Sequence, residues 1–196
     1  VNTVEEDMLK AMKKVGCWQI SYGVESGNNE ILKNIKKGIT VEMVREAMER
    51  TKKVGIGTRG YFILGLPEDT EETMRETINF AKSLPLDVAN FYILTPYPGS
   101  EIFKEIRAKG EKISLNYDEY MLNFPKTVPY VSPGLTEEVL KEYEKKAYQE
   151  FYLRPIYLIR QTFKVRTFRE FLDKVFAVLI VFRIAFKKIL MRLKLR

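Results

Sequence analysis

Short apolar runs alternate with amphipathic segments over roughly the first half of the sequence. The four residues KKVG occur at 13–16 and again at 52–55, each time after a segment of helical periodicity and before an apolar run. This spacing of about 40 residues suits one strand–helix module. Strands that are separated by helices pair in parallel through right-handed crossovers. The alternation therefore predicts an α/β protein with a parallel sheet or barrel.

Three apolar runs are the predicted strands, within the segments CWQISYGV, TRGYFILG and DVANFYILTP. Trp18 in the first of them is expected to pack in the core or against a helix, and Cys17 is expected to be a small buried hydrophobe. The intervening segments have the apolar spacing of helices, and the polar residues at their starts suit helix caps. Thr40 is the predicted cap of the helix 41–54, and Asp69 or Thr70 that of the next long helix.

Polar and flexible residues follow each predicted strand, in the sequences GVESG, GLPED and TPYPGS. The carboxyl ends of parallel strands lie at one edge of the sheet, where α/β proteins bind their ligands. Loops that are rich in Gly, Pro and polar groups are typical of ligand-lining segments. The three loops therefore predict one shared site at this edge.

Histidine is absent and Cys17 is the only cysteine. Disulfides within the chain are excluded, and the composition suits a reducing compartment such as the cytoplasm. The chain also lacks the several soft ligands that zinc or iron–sulfur sites need. The sequence begins at Val1 with no signal-peptide pattern, as if it started within a longer protein.

The charge of the chain changes near residue 150. Residues 151–196 contain 12 basic and two acidic residues, whereas residues 1–150 are mildly acidic. From residue 168 the pattern predicts a basic amphipathic helix, whose longest uncharged run, at 175–182, is too short to span a membrane. Three interpretations stay open: packing on the body, peripheral contact with the inner face of a membrane, and binding of RNA, which is the least favoured.

Taken together, the three loops resemble the radical SAM enzymes, and more narrowly the branch that often carries an upstream cobalamin-binding domain. The matching text is GCWQISYGVESGNNEILKNIKKGIT, GYFILGLPEDTEETMRETINFAKSL and YILTPYPGSEIF, within residues 4–105. Each motif alone is weak, but three in this order and spacing are specific.

The resemblance implies a partial (β/α)6 barrel with a 4Fe-4S cluster that is held by three cysteines and activates S-adenosylmethionine (SAM). The three strands match the fourth to sixth of that barrel, and the cysteine loop is absent. The cluster ligands are therefore expected upstream of Val1, and the chain by itself is expected to be inactive. The predicted divisions are the barrel part at 1–110, a loop-rich link at 111–135 and a helical region at 136–196.

Two residues of the first loop are implied as cofactor ligands. A carboxylate at Glu25 suits the two vicinal hydroxyls of the SAM ribose, because it accepts hydrogen bonds with both oxygens. The alternative is a charge that is favoured by the dipole at the start of the next helix. Ser26 either bonds the amino-acid part of SAM or caps that helix.

The second and third loops are implied to border the adenine of SAM. Ile63, Gly65 and Glu68 resemble the family's I-x-G-x-x-E motif, with Glu68 more simply explained as an exposed side chain. Thr95 and Pro96 match the end of the sixth strand, and Tyr97 with the following Pro–Gly turn is a weaker candidate for substrate contact. No residue is assigned as a catalytic acid, base or nucleophile.

The function that the resemblance implies is reductive cleavage of SAM and abstraction of a hydrogen atom from a small-molecule or lipid-like substrate. Cobalamin-dependent methyl transfer or an oxidation would follow, and the electron would come from a reductant such as ferredoxin or flavodoxin. Two alternatives stay open. One is a non-catalytic α/β nucleotide-binding module that lacks the cluster, and the other is a different βα-barrel enzyme, against which the missing histidine counts.

Overall fold

The computed structural model describes residues 4–116, 120 and 127–162. The chain divides into two compact units, residues 1–148 and 149–196. The predicted boundaries at residues 110 and 135 stay predictions. The basic helix that is predicted from residue 168 lies outside the described residues.

The first unit begins with alternating helices and strands, as predicted. The strands are β1 (Gln19–Glu25), β2 (Gly57–Leu64) and β3 (Val88–Ile93). The helices are α1 (Glu6–Lys14), α2 (Asn29–Asn34), α3 (Val41–Lys53), α4 (Glu71–Ser83), α5 (Glu101–Ala108), α6 (Glu137–Tyr152) and α7 (Pro155–Thr162).

The three strands form a parallel sheet in the order β1–β2–β3. Arg59 on β2 pairs with Ser21 on β1 and with Val88 on β3, so the strands are in register at this level. Parallel neighbours joined by helices are what the alternating sequence predicts. The predicted α/β class is therefore confirmed, and the three strands end at the same edge of the sheet.

The two faces of the sheet differ in burial. One face packs in the core, where the rings of Phe62 and Phe91 stack with their centroids 5.2 Å apart. The other face, which we call the open face, carries the alternate residues of each strand and is mainly half-buried. Its residues are Gln19, Ser21, Gly23, Glu25, Gly57, Arg59, Tyr61, Ile63, Val88, Asn90 and Tyr92.

Hydroxyl side chains fix the starts of the long helices. Thr40 caps α3 by accepting a hydrogen bond from the N–H of Met43, as predicted. Thr70, rather than Asp69, caps α4, and it forms a reciprocal pair with Thr73. Such caps satisfy N–H groups that have no partner within the helix.

Helix α6 lies against the edge of β3 that faces away from β2, and against α4. The hydroxyl of Tyr148 accepts a hydrogen bond from the backbone N–H of Phe91, at 3.3 Å. On α4, the carboxylate of Glu71 accepts from the Tyr143 hydroxyl at 3.1 Å. The first contact occupies a strand-edge N–H that would otherwise need another partner.

The described part of the second unit is held by aromatic contacts. Phe151, Tyr152 and Tyr157 contact one another, with ring centroids 4.9–5.3 Å apart. The guanidinium of Arg154 lies 4.4 Å from the centre of the Phe151 ring. Within the described residues, no helix is both long enough and apolar enough to cross a membrane.

Two packing predictions near the start of β1 are wrong. Trp18 is 74% exposed rather than in the core. Cys17 is only partly buried, and its thiol lies 3.7 Å from the carbonyl oxygen of Gln19. Both residues belong to the α1–β1 connection, which precedes the buried part of the strand, so an apolar run overestimates the burial of its first residues.

Asp69 organises the connection between β2 and α4. Its side chain is buried and accepts hydrogen bonds from the N–H of Leu66 at 2.9 Å and from the hydroxyl of Thr73 at 2.6 Å. Burial raises the pKa of Asp69 from 3.8 to about 6, and these hydrogen bonds partly oppose the increase. The carboxyl group thus holds the loop that follows β2.

The shifted pKa of Asp69 predicts a specific pH dependence of stability. Between pH 3.8 and about 6 the folded chain binds more protons at this group than the unfolded chain does. The free energy of unfolding should therefore fall as the pH rises through this window, by up to about 3 kcal/mol. Urea unfolding at several pH values should show a smaller fall for Asp69→Asn.

The control is Glu68→Gln, which removes an exposed carboxylate from the same loop. This variant should retain the pH dependence of the unsubstituted chain. Equal slopes for the Asp69→Asn variant and the unsubstituted chain between pH 4 and 6 would show that Asp69 does not titrate in this window.

Candidate functional site at the strand ends

Glu25 ends β1 in an unusual backbone conformation. The register shifts between Gly23 and Glu25, so that Glu25 pairs with Phe62 of β2. The φ angle of Glu25 is +67°, in the left-handed region that costs a residue with a side chain about 1–2 kcal/mol. Irregularities of this kind re-aim side chains next to functional sites. The local strain is consistent with a role for Glu25 beyond packing.

The Glu25 carboxylate is paired with a lysine. Lys37 Nζ lies 2.6 Å from Glu25 Oε1, and the Glu25 side chain is 17% exposed. Among the described residues, Glu25 Oε2 has no hydrogen-bond partner. Lys37 lies beyond the C-terminal end of α2. The ion pair gives the carboxylate a charged partner of its own, and the helix-dipole interpretation of Glu25 stays open.

Gly23 leaves space for this ion pair. A Cβ atom on Gly23 would lie 2.7 Å from Glu25 Oε1 and 3.2 Å from Lys37 Nζ. Any side chain at position 23 would therefore displace the carboxylate, the ammonium group or both. Gly23, the first glycine of GVESG, is therefore explained by the space that the adjacent ion pair needs rather than by a turn.

Ser26 is directed into the protein. It is 1% exposed, and its hydroxyl accepts the N–H of Asn28 at 3.1 Å and lies 3.2 Å from Thr77 Oγ1 on α4. Asn28, not Ser26, caps α2, so the alternative prediction of a Ser26 cap is wrong. The burial and the two contacts favour a structural role for Ser26, and its contact with SAM stays a prediction.

The same loop is clamped onto α4. Thr77 Oγ1 accepts the N–H of Gly27 at 2.9 Å, and Asn28 Nδ2 donates to Glu76 at 2.6 Å. A Cβ atom on Gly27 would lie 2.7 Å from the Cα atom of Thr77. The loop after β1 and the helix after β2 are therefore in close contact, which fixes the backbone that carries Glu25.

Ile63 and Gly65 lie at the end of β2. Ile63 belongs to the open face, one position beyond the residue that pairs with Glu25. Gly65 is buried, with φ +77°, and a Cβ atom there would lie 2.7 Å from Leu140 Cδ2 on α6. The backbone conformation and α6 packing thus explain this glycine without a ligand, and its predicted place beside adenine remains untested.

Glu68 forms contacts on the surface. It is exposed, and its carboxylate accepts from Asn34 Nδ2 at 2.6 Å and pairs with Lys109 Nζ at 3.4 Å. These contacts join the β2–α4 loop to α2 and to the residue that follows α5. They are consistent with the simpler interpretation of Glu68 as an exposed side chain.

Thr95 and Pro96 follow β3 at the same edge of the sheet. The backbone N–H of Leu94 donates to Leu64 O at 2.9 Å, which extends the pairing of β2 and β3 up to this loop. Thr95 is half-buried and Pro96 is buried, whereas Tyr97 is 46% exposed. The parallel sheet therefore brings the ends of all three strands to one edge, as the sequence predicts.

Sequence reasoning missed three residues of this region: Lys37, Asp69 as the organiser of its loop, and Thr77. Each acts through a partner that is distant in sequence or through burial, neither of which periodicity reports. The one signal available for Lys37 was its place in the segment KKGIT, within the text that carries the resemblance.

Comparison with known proteins identifies the group to which this arrangement belongs. The model of the Radical SAM superfamily matches residues 1–81. An uncharacterised methyltransferase of Pyrococcus horikoshii is 38% identical over 164 residues, which cover 84% of this chain and 35% of that protein. The anaerobic magnesium-protoporphyrin IX monomethyl ester cyclase of Rubrivivax gelatinosus is 30% identical over 155 residues, or 79% and 27% of the two chains.

Solved structures show the same fold. The radical SAM methyltransferase TsrM of Kitasatospora setae, solved with a tryptophan substrate and a SAM analogue, superposes with a TM-score of 0.56 at 20% identity. The likeness covers 78% of this chain and 34% of that one. At this identity the comparison concerns the fold alone.

The chain spans about a third or less of the length of these relatives. The family model covers the first two strands, and the similarity to the methyltransferase and the cyclase extends well beyond them. The chain belongs to the radical SAM superfamily.

Proposed function

We propose that this chain forms the part of a radical SAM enzyme that holds the nucleoside of SAM, with Glu25 bound to the ribose. The observation that carries the proposal is the half-buried, strained Glu25 carboxylate at the strand-end edge. One of its oxygens contacts Lys37, and the other has no partner among the described residues. A vicinal diol supplies two O–H donors that a carboxylate can accept.

The described residues fit SAM but not the iron–sulfur cluster. Ile63, Gly65, Thr95 and Pro96 lie on the strand-end edge that also carries Glu25, and we assign them to the adenine side. Cys17 is the only cysteine of the chain and precedes β1, at the opposite end of that strand from Glu25. Among the described residues no group of three potential ligands could hold a metal ion. We therefore assign the cluster ligands to residues outside this sequence.

When bound, the cluster and SAM together would supply the radical that abstracts a hydrogen atom. The residues of this chain would bind and orient SAM. Lys37 neutralises and positions the Glu25 carboxylate, and Asp69 fixes the loop after β2. We infer methyl transfer or ring closure at an unreactive carbon as the outcome, because the relatives include a protein named as a methyltransferase and a cyclase. Cobalamin would be the methyl carrier in the first case, and no described residue is assigned to it.

Replacement of Glu25 tests the ribose assignment. In the anaerobically purified full gene product, Glu25→Gln should weaken SAM binding about 10- to 100-fold, because it removes charge-assisted hydrogen bonds. Equilibrium dialysis with labelled SAM measures the change. The control is Glu105→Gln, which removes one of the two carboxylate partners of Lys36, from an exposed ion pair that is also 2.6 Å long. Equal affinities of both variants and the wild type would contradict the assignment.

The iron and sulfide content of the same product separates the enzyme from a binding module. The proposal predicts about four iron and four sulfide ions per chain after anaerobic reconstitution, because one 4Fe-4S cluster activates SAM in this family. A product that binds SAM without iron would instead support the non-catalytic alternative. Measurement of both ions by colorimetric assay decides between the two.

A further inference from the structure

The open face of the sheet has the composition of a binding surface. The interiors of parallel barrels are mostly filled by layers of branched aliphatic side chains. Here the open face has only Ile63 and Val88 of that type, and most of its other side chains are polar or aromatic. Ile63, at the strand-end edge, packs against a buried apolar cluster that includes Leu66 and Leu94. A surface of this kind is better suited to a polar ligand than to a packed apolar core.

Arg59 supplies the charge of this surface. No carboxylate of the described residues forms an ion pair with its guanidinium, and its buried Nε atom has no hydrogen-bond partner among them. Its side chain forms a hydrogen bond with the hydroxyl of Tyr61, and this contact lowers the pKa of that phenol. A half-buried guanidinium without an anion is unfavourable, and its planar fork matches a carboxylate.

Tyr61 lies next to this cation, and Tyr92 lies farther along the open face, where it pairs with Ile63. The rings of Tyr61 and Tyr92 are nearly parallel, with an interplanar angle of 16° and centroids 6.2 Å apart. Next to them, Asn90 Oδ1 is buried and has no hydrogen-bond partner among the described residues. The exposed faces of aromatic rings can stack on planar conjugated groups, and the amide oxygen is an additional acceptor.

The arginine and the expected cofactor site lie at different heights along the sheet. Arg59 is four residues before Ile63, which corresponds to about 13 Å along a strand. Glu25 is at the level of Phe62 and Ile63. A ligand of roughly this length can therefore contact Arg59 while its other end lies at the strand-end edge.

We propose that the open face binds the substrate, and that the substrate is a planar conjugated molecule with a carboxylate group. Arg59 binds the carboxylate, Tyr61 and Tyr92 contact the ring system, and the reacting end lies at the edge that carries Glu25. This inference rests on the proposed function, which supplies the reacting edge. Arg59 thus acts as a specificity-determining residue rather than as part of the core.

The test uses protoporphyrin IX, a planar dicarboxylate, and its dimethyl ester, which has the same ring but no free carboxylate. Binding to the full gene product is followed by the change in visible absorbance. The wild type should bind the acid more tightly than the ester. Arg59→Gln should weaken binding of the acid about 10- to 100-fold and leave that of the ester unchanged. Tyr61→Leu should weaken binding of both about 2- to 10-fold.

Two further variants keep the test decisive. Arg45→Gln removes an arginine that lies over Phe80, away from the open face, and should bind the acid like the wild type. Arg59→Lys retains the charge without the planar fork and should bind the acid with intermediate affinity, which would exclude misfolding as the cause. The proposal is overturned if the wild type does not distinguish acid from ester, if it binds neither, or if the Arg59 and Arg45 variants bind the acid equally.

SAM binding in the same preparations separates the two proposals. If Glu25→Gln loses SAM affinity while the Arg59 variants bind the porphyrin normally, the substrate surface is wrong and the proposed function stands. If porphyrin binding depends on Arg59 but the product neither binds SAM nor contains iron, the substrate surface stands and the proposed function fails.

Discussion

The ion pair between Glu25 and Lys37 is the interaction on which the strand-end site depends. It joins the end of β1 to the segment after α2, across 12 positions of sequence. The residue that it holds, Glu25, has a left-handed backbone conformation. Gly23 provides the space for it, and the contacts of Gly27 with α4 fix the loop. The strain at Glu25 is tolerated because these surrounding contacts determine its position.

The two faces of the parallel sheet have different roles. The core face carries the apolar residues that bind the sheet to its helices and so supply most of the stability. The open face carries Arg59, Tyr61 and Tyr92, side chains that contribute less to a core but can contact a ligand. Because the strands are in register, one edge combines Glu25 with the ends of β2 and β3, and the cofactor and substrate proposals describe neighbouring parts of one surface.

The strand–helix alternation and the strand-end loops were readable from the sequence, since both depend on local periodicity and on Gly, Pro and polar residues in connections. Contacts between distant segments were not. The partner of Glu25, the burial of Ser26 against Thr77 and the packing of Gly65 against Leu140 arise only when the modules come together. The predicted burial of Trp18 was wrong for a related reason. Its apolar character indicates a strand, but its burial depends on which other segments cover that strand.

Binding of SAM and of its 2′,3′-dideoxy analogue by the wild type and by Glu25→Gln tests whether Glu25 binds the ribose, because it isolates the contact between the carboxylate and the ribose hydroxyls. We predict that removal of the hydroxyls weakens binding to the wild type about 10-fold or more, and has a much smaller effect on the Glu25→Gln variant. An equal loss in both proteins would show that the two groups do not interact, and would contradict the account of Glu25 given above.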